Sequence, residues 1–354
     1  MNLKKAIRYL LATVVIGVEI DNRFCYITTK IYKRAKVIET QTKTFKTNPG
    51  ELPMSAVRYI NSIRFKKPFT YISSLSTSII QGVMDTANED DFIKYGVNVS
   101  DIESKRIDDW FVYCSKEGIA ETRKQFLKVG VDFVISPFAL LYSLIKNTVE
   151  DTCNLYILFQ KSNITMMVAK GKNEILFGAY YILESKINLR DNTAKKHLSE
   201  DLDDIDESDV TNDINHELYS LGDLDLADES DSDEELIEFL KDESDDSIEE
   251  NIEESIEESI NDNHQESFDD FSRVSYAAKF IQSAVSEFYN NKIYKSDFIT
   301  QIILFNPHKI DKEVLKHIAN VTMLDLDVRA CNISDILSNL GYESYKFFEE
   351  KEMI

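Results

Sequence analysis

The side chains of this chain that could do chemistry are scattered carboxylates, imidazoles, thiols and one basic cluster. Glu19 and Asp21 close an apolar run, and read by themselves they are strand-end carboxylates facing solvent. His308 and His317 lie near Asp311 and Glu313, but the spacing is loose and fits surface residues on a helix. His197, His216 and His264 lie in or beside an acidic stretch with no recurring ligand spacing, so they read as solvated rather than metal-bound. Cys25, Cys114, Cys153 and Cys331 are far apart with no CxxC pair, which predicts free buried thiols in a reducing compartment. No GxSxG, HExxH, GxxxxGK[ST] or GxGxxG run is present. No metal and no cofactor is therefore expected.

Charge divides the chain into two physical objects. Between Glu200 and Asp270 stand 32 acidic residues against the single base Lys241, a net of −31, so the remainder of a chain of net −23 sums to +8. The acidic stretch repels itself and holds few aromatic residues, so residues 186–271 are expected to be a disordered insertion. Within it, EELIEFL (234–240) and the isoleucines at 248, 252, 256 and 260 could form an amphipathic helix against a basic partner. The first 70 residues carry 14 bases against 4 acids, with Lys30, Lys33, Arg34 and Lys36 crowding one turn. Such a patch would fit an anionic membrane surface weakly, with a plain solvated edge as the default. Nucleic acid is not expected, because the acidic stretch would compete for the patch.

The elements that position these residues follow from pattern. Lys4, Lys5 and Arg8 precede an uncharged run from Tyr9 to Val18, too short to span a bilayer, which needs about 20 residues. We read TVVIGVEI (13–20) as a buried first strand and expect a soluble, cytoplasmic protein. RFCYITTKIYK (23–33) and KVIETQTKTFK (36–46) are strands joined by tight turns. A helix from Pro53 to about Arg64 and a strand at 69–75 follow, then a mixed region. Next come a strand at 110–115, a helix from Ile119 to Val129 closed by Gly130, a strand at 131–136 and a helix opened by Pro137. The second half opens with strands at 154–160, 164–171 and 174–182. Order resumes with a helix from Ser272 to Tyr289, a strand at 299–305, a helix near 311–319, a short strand at 321–326 and a last helical turn or two at 333–340.

Each half is a meander followed by alternating helix and strand. With Ile16-Gly17-Val18-Glu19-Ile20-Asp21-Asn22 as its first strand end, the chain resembles the actin-like ATPase superfamily, in the branch of the pilus protein PilM and the cytoplasmic part of the secretion protein GspL. The run Trp110 to Asn147, the hairpin Leu155 to Ile182 and the strand Ile302 to Pro307 carry the rest of the likeness. The resemblance implies an α/β fold of two RNase H-like (actin-like) halves, with the long acidic insertion in the second. Residues 1–150 would be the first half, with a subdomain inserted at about 79–130. Residues 151–185 and 272–354 would be the second.

The departures matter more than the match. Phosphate and its Mg²⁺ need an oxygen ligand of the right length and glycines that let backbone N–H groups approach the anion. At the matching positions stand Glu19, one methylene longer than aspartate, and Asp21 beside Asn22 in place of glycine. Leu158 and Gln160 occupy the second hairpin, and Asn306-Pro307 replaces a glycine pair. The resemblance therefore implies a degenerate nucleotide site and a non-catalytic scaffold of a type IV pilus, type II secretion or DNA-uptake-type assembly. Its partner would be an inner-membrane assembly protein, bound through a short cytoplasmic peptide in a groove near 79–147, and it would sit peripheral to that membrane. Two alternatives stay open: an active ATPase or sugar-kinase-like member of the superfamily, and a polyacidic module that sequesters a basic partner.

Overall fold

The first strand forms because an apolar, β-branched run is covered on both faces. In the computed structural model, which describes residues 12–146, 151–171, 174–183 and 270–351, β1 spans Thr13–Ile20 and six of its eight residues are buried. It lies between antiparallel β2 (Phe24–Lys33) and parallel β4 (Thr70–Leu75). β3 (Lys36–Lys46) pairs with β2 through a two-residue turn at Arg34 and Ala35, both at positive φ (51° and 62°). That turn suits the right-handed twist of the strands, although neither residue is the usual glycine or asparagine. α1 (Met54–Lys66) buries Ala56, Val57 and Ile60 against this sheet.

A small antiparallel sheet follows, built from β5 (Gln81–Met84), β6 (Ile102–Ile107) and β7 (Trp110–Ser115) in the order β5-β7-β6. Two 3₁₀ turns link β5 to β6, and Met84, Phe92, Ile102 and Phe111 give this sheet a core of its own. Then come α2 (Lys116–Gln125), β8 (Phe133–Ile135) and α3 (Pro137–Ile145). The second half runs β9 (Asn154–Phe159), β10 (Asn163–Lys170), β11 (Glu174–Ile182), α4 (270–290), β12 (Gln301–Asn306), α5 (Lys312–Thr322), β13 (Asp325–Ala330) and α6 (Ile333–Lys351).

The two large sheets have one topology. The first is ordered β3-β2-β1-β4-β8 and the second β11-β10-β9-β12-β13. In each, an antiparallel meander is extended by two parallel strands. This is the expected α/β class, two RNase H-like halves of actin-like arrangement. The halves exchange helices. α3 leaves the first sheet yet packs Phe138, Leu141 and Ile145 on the second, while α6 leaves the second sheet and packs across β1, β2 and β4 of the first. Gly17 permits that crossing. A Cβ there would overlap the Ser334 carbonyl oxygen and lie 2.7 Å from the Ser338 amide nitrogen.

The pattern reading misplaced several boundaries. α2 starts three residues before Ile119, because Ser115 caps it by accepting from Gly118 N–H, and it ends at Gln125. α5 runs to Thr322 and stops at Met323, whose left-handed φ of 56° ends the helix, so β13 lies at 325–330 rather than 321–326. α6 has 19 residues, not a turn or two, because the first sheet supplies a surface for its continuation. β5 and β6 lie in the region that pattern left undivided. The expected disordered insertion, its two amphipathic stretches and the charged start of the chain lie outside the described residues. Among the described residues no helix is long and apolar enough to cross a membrane.

Candidate functional site

Two concave sites stand out, a cleft at the ends of β1, β4 and β9 and a groove beside the small sheet.

The cleft begins where β1 ends. Glu19 and Asp21 are buried rather than facing solvent, at 5% and 6% exposure. The β1–β2 turn is closed by Asp21 N–H donating to the Phe24 carbonyl at 2.9 Å, and Asn22 N–H donates to Asp21 Oδ1 at 2.6 Å. Behind both carboxylates lies His308, whose side chain is 4% exposed. Its Nε2 is 3.3 Å from Glu19 Oε1 and its Nδ1 is 3.7 Å from Asp21 Oδ2. The residue that spacing assigned to a helix surface thus sits in the loop before α5, with its imidazole between two carboxylates of the other half. Asn306 holds that loop: its side-chain amide donates to the Ile310 carbonyl at 2.8 Å and accepts from Ile310 N–H at 3.1 Å. Pro307 then leads directly to His308.

The charge of Glu19 reaches its neighbours. The Cys25 thiol is pushed up to about 12, first by burial and then by the Glu19 carboxylate. Cys331 is raised to about 12 for the same two reasons in the same order. Both resist becoming thiolates beside an anion, so neither is an activated nucleophile. Burial likewise raises Cys114 and Cys153.

The cavity in front of the carboxylates holds about 220 Å³, below the roughly 300–1,000 Å³ of usual ligand pockets. Asn22, Gln160 and Asn163 line it, with Ser74, Ser76 and Tyr180. No lysine, arginine or histidine is among the lining residues. Gln160 is 6% exposed, and its Oε1 is buried with no hydrogen-bond partner. Leu158, by contrast, points into the apolar core with Tyr156 and Ile303 and does not reach the cleft. The structure thus gathers Glu19, Asp21, Asn22 and Gln160 around one space, with Asn306 and Pro307 positioning the histidine behind it. His308 and the hydroxyl run at 73–78 were not selected from sequence. The signal available was that run, SSLSTS, which spans the end of β4 and the residues that follow it. Among the described residues no group of three or more His, Cys, Asp or Glu side chains is placed to hold a metal ion.

The basic cluster is split. Lys30 is buried at 7% exposure, and its Nζ lies 2.8 Å from both Asp335 Oδ1 and Asn339 Oδ1 of α6. It joins the halves and offers no charge to a surface. Lys33, Arg34 and Lys36 are exposed at the hairpin tip.

The groove holds about 650 Å³ and runs between β6 on one side, and β8, α3 and the end of α6 on the other. β6 and β8 each end their sheet, so both have an outer edge without a strand partner among the described residues. Phe133 stacks on Phe348 with ring centroids 6.1 Å apart, and Phe347 and Phe348 remain 45% and 57% exposed. Lys105 Nζ sits 5.6 Å from the Phe347 ring. Tyr142 donates to Asp108 Oδ2 at 3.0 Å, and its hydroxyl is pushed up to about 12 by burial and then by that carboxylate.

Residues 155–346, more than half of the chain, match the family model described as Domain of unknown function (DUF8341). Residues 11–142 match another, described as Domain of unknown function (DUF8569). No curated protein matches. Among solved structures, the chain is similar to the PilM-PilN type IV pilus biogenesis complex, at 10% identity and TM-score 0.45, over 91% of this chain and 89% of that one. It is similar to the activator of 2-hydroxyisocaproyl-CoA dehydratase from Clostridium difficile with bound ADPNP, at 8% identity and TM-score 0.40, over 96% and 98%. A Bacteroides thetaiotaomicron protein of actin-like ATPase fold and unknown function matches at 9% identity and TM-score 0.32, over 53% and 76%.

Proposed function

For a chain that belongs to the family described as Domain of unknown function (DUF8341), a description that carries no activity, we propose a scaffold role without nucleotide chemistry. In this reading the protein holds a short extended segment of a partner in the groove between β6 and β8. The observation that carries the reading is that groove: two outer strand edges facing a trough of about 650 Å³ walled by exposed phenylalanines. An extended peptide laid along either edge would exchange main-chain hydrogen bonds with it and set alternate side chains into the aromatic wall. The cleft supports the other part of the reading. Two buried carboxylates and no base among its lining residues oppose a polyphosphate.

The resemblance supplies the partner class: the cytoplasmic peptide of an inner-membrane assembly protein in a pilus, secretion or DNA-uptake-type machine. Exposed Lys33, Arg34 and Lys36 would add a weak contact with an anionic membrane from the cytoplasmic side.

The test is a photo-crosslinking amino acid placed at Ser104 or Phe348 in living cells, with the crosslinked product identified by mass spectrometry. The reading requires the cytoplasmic segment of a membrane protein, crosslinked from both positions. Crosslinks only to soluble enzymes, or none, count against it. Calorimetry with Mg-ATP should show no binding tighter than about 1 mM. A micromolar Mg-dependent site would favour an ATPase instead.

A further inference from the structure

The cleft has lost what a phosphate needs, but its remaining atoms are not neutral. We propose that it is a binding site for a small organic cation, a primary amine or guanidine.

Three observations carry this. The first is the balance of charge. Glu19 and Asp21 place two carboxylates beside the cavity, and the residue that answers them is His308. A neutral imidazole has one N–H and cannot donate to both carboxylates. With both carboxylates ionised, even an imidazolium offsets only one of the two charges and leaves the trio one negative charge in excess. No lining side chain of the cavity is basic, so the excess is not answered from the open side either.

The second is the state of the acceptors. Gln160 Oε1 and Asn163 Oδ1 are buried without a hydrogen-bond partner and both residues line the cavity, while Glu19 Oε1 and Asp21 Oδ2 have only the His308 imidazole beside them, at 3.3 and 3.7 Å. Buried oxygens of this kind are costly unless a donor reaches them. Glu19 and Asp21 come from the end of β1, and Gln160 and Asn163 from the β9–β10 turn and the start of β10, so the cavity is lined from both halves. An ammonium brings three N–H donors and a positive charge, and a guanidinium brings five. Either satisfies acceptors of this type, whereas a phosphate or carboxylate ligand satisfies none.

The third is size and donor set. About 220 Å³ admits a small amine but is tight for a nucleotide. A bare divalent ion fits poorly. Ca²⁺ takes six to eight oxygens at about 2.3–2.6 Å, and no side-chain group among the described residues is placed to hold a metal. Apart from the carboxylates, hydroxyl and amide groups from residues such as Ser76, Thr77 and Ser162 share the lining with Leu75, Pro137 and Ile182, which suits a small amine with a short hydrocarbon stem.

The test uses the full chain at physiological salt, with binding followed by calorimetry and thermal shift. The probes are methylamine, 1,4-diaminobutane and agmatine, with 1,4-butanediol as the neutral counterpart of the diamine. At least one amine should bind with 1:1 saturation and a Kd below about 1 mM, and the diol should not bind. Asp21→Asn and Gln160→Leu should each weaken that binding by about tenfold, the effect of 1.4 kcal/mol in binding free energy. Gln160→Leu alters no charge, so it remains informative if Asp21→Asn disturbs folding. The idea fails if no amine saturates by about 10 mM, if the diol binds as well as the diamine, or if both variants bind like the native chain. The last result would assign the cation to the acidic stretch between Glu200 and Asp270, whose charge neither variant alters materially. Failure here leaves the peptide groove untouched, because crosslinking from Ser104 and Phe348 reports a different part of the molecule.

Discussion

The cleft and the groove are built from the same sheets but by opposite physics. The cleft holds about 220 Å³ and is dominated by buried polar groups: two carboxyl groups, the imidazole behind them and unpaired amide oxygens. The groove holds about 650 Å³ and carries exposed aromatic surface at Phe347 and Phe348, with Tyr142 hydrogen-bonded to Asp108 and Lys146 paired with Glu343 at its margin. A buried polar site contributes specificity and is costly when a partner is removed. An exposed apolar groove contributes area and tolerates small changes. Substitutions should therefore be felt more strongly in the cleft than in the groove.

The sharpest break should come from His308→Ala. Removing one member of a buried charge group leaves the others uncompensated and costs about 3–5 kcal/mol. Urea denaturation measures it. Adding Glu19→Gln and Asp21→Asn to the same variant should recover most of the loss, since the stranded charges are then gone. A cost below about 1 kcal/mol for His308→Ala would show that the trio is not an ionic cluster.

Gly17→Ala comes next. Its Cβ meets backbone atoms of Ser334 and Ser338 rather than a side chain that can swing away, so β1 and α6 must separate. Overpacking of this kind costs about 1–3 kcal/mol. Since α6 also forms one wall of the groove, limited proteolysis should detect loosening at its C-terminal end. Unchanged stability and protection would mean that α6 is not seated on β1 as described.

The groove predicts a smaller, local effect. Phe347→Ala combined with Phe348→Ala should weaken peptide binding by about tenfold while moving the melting temperature little, because both residues are already about half exposed. Binding that survives the double variant would place the peptide elsewhere.

Thiol chemistry sharpens the cleft side. Cys25 titrates near 9 when unfolded and about 12 when folded, so the folded state keeps its proton over that window and the unfolded state does not. Stability should therefore fall as pH rises from 9 towards 12, with the contribution intact below 9. Glu19→Gln removes the second cause of the shift and should shrink that loss. It should also raise thiol reactivity towards Ellman's reagent by about threefold to tenfold at mildly alkaline pH. No change on Glu19→Gln would mean burial alone holds both Cys25 and Cys331.

The smallest effect is at the hairpin tip. Replacing Lys33, Arg34 and Lys36 by glutamate should reduce co-sedimentation with anionic vesicles a few-fold at low salt, with the difference fading at physiological ionic strength, where the Debye length is about 8 Å. Lys30→Ala, in contrast, should act on stability through Asp335 and leave vesicle binding alone.

Much of the fold was legible in the chain. The meanders at 13–46 and 154–182 alternate or saturate with β-branched and aromatic residues, and their turns are too short to allow another pairing. Pro137 opened α3 where expected, with Ser136 as its cap. The composition of the acidic stretch also set it apart from the body by charge alone. These are local properties, carried by neighbours in sequence.

What sequence could not give were the pairings across long separations. Lys30 reads as one base in a surface cluster until α6 brings Asp335 and Asn339 to it from more than 300 residues away. α6 reads as a short helix until the first sheet supplies the face that stabilises its second half. His308 shows the same limit most clearly. Its neighbours in the chain are Pro307 and Lys309, and nothing about them announces two carboxylates near residue 20. Only the docking of the β12–α5 loop against the end of β1 sets an exposed-looking histidine between two buried carboxyl groups. The physical reason is range. Periodicity and turn chemistry act over a few residues, whereas burial and electrostatics depend on which distant segments the packed core brings together.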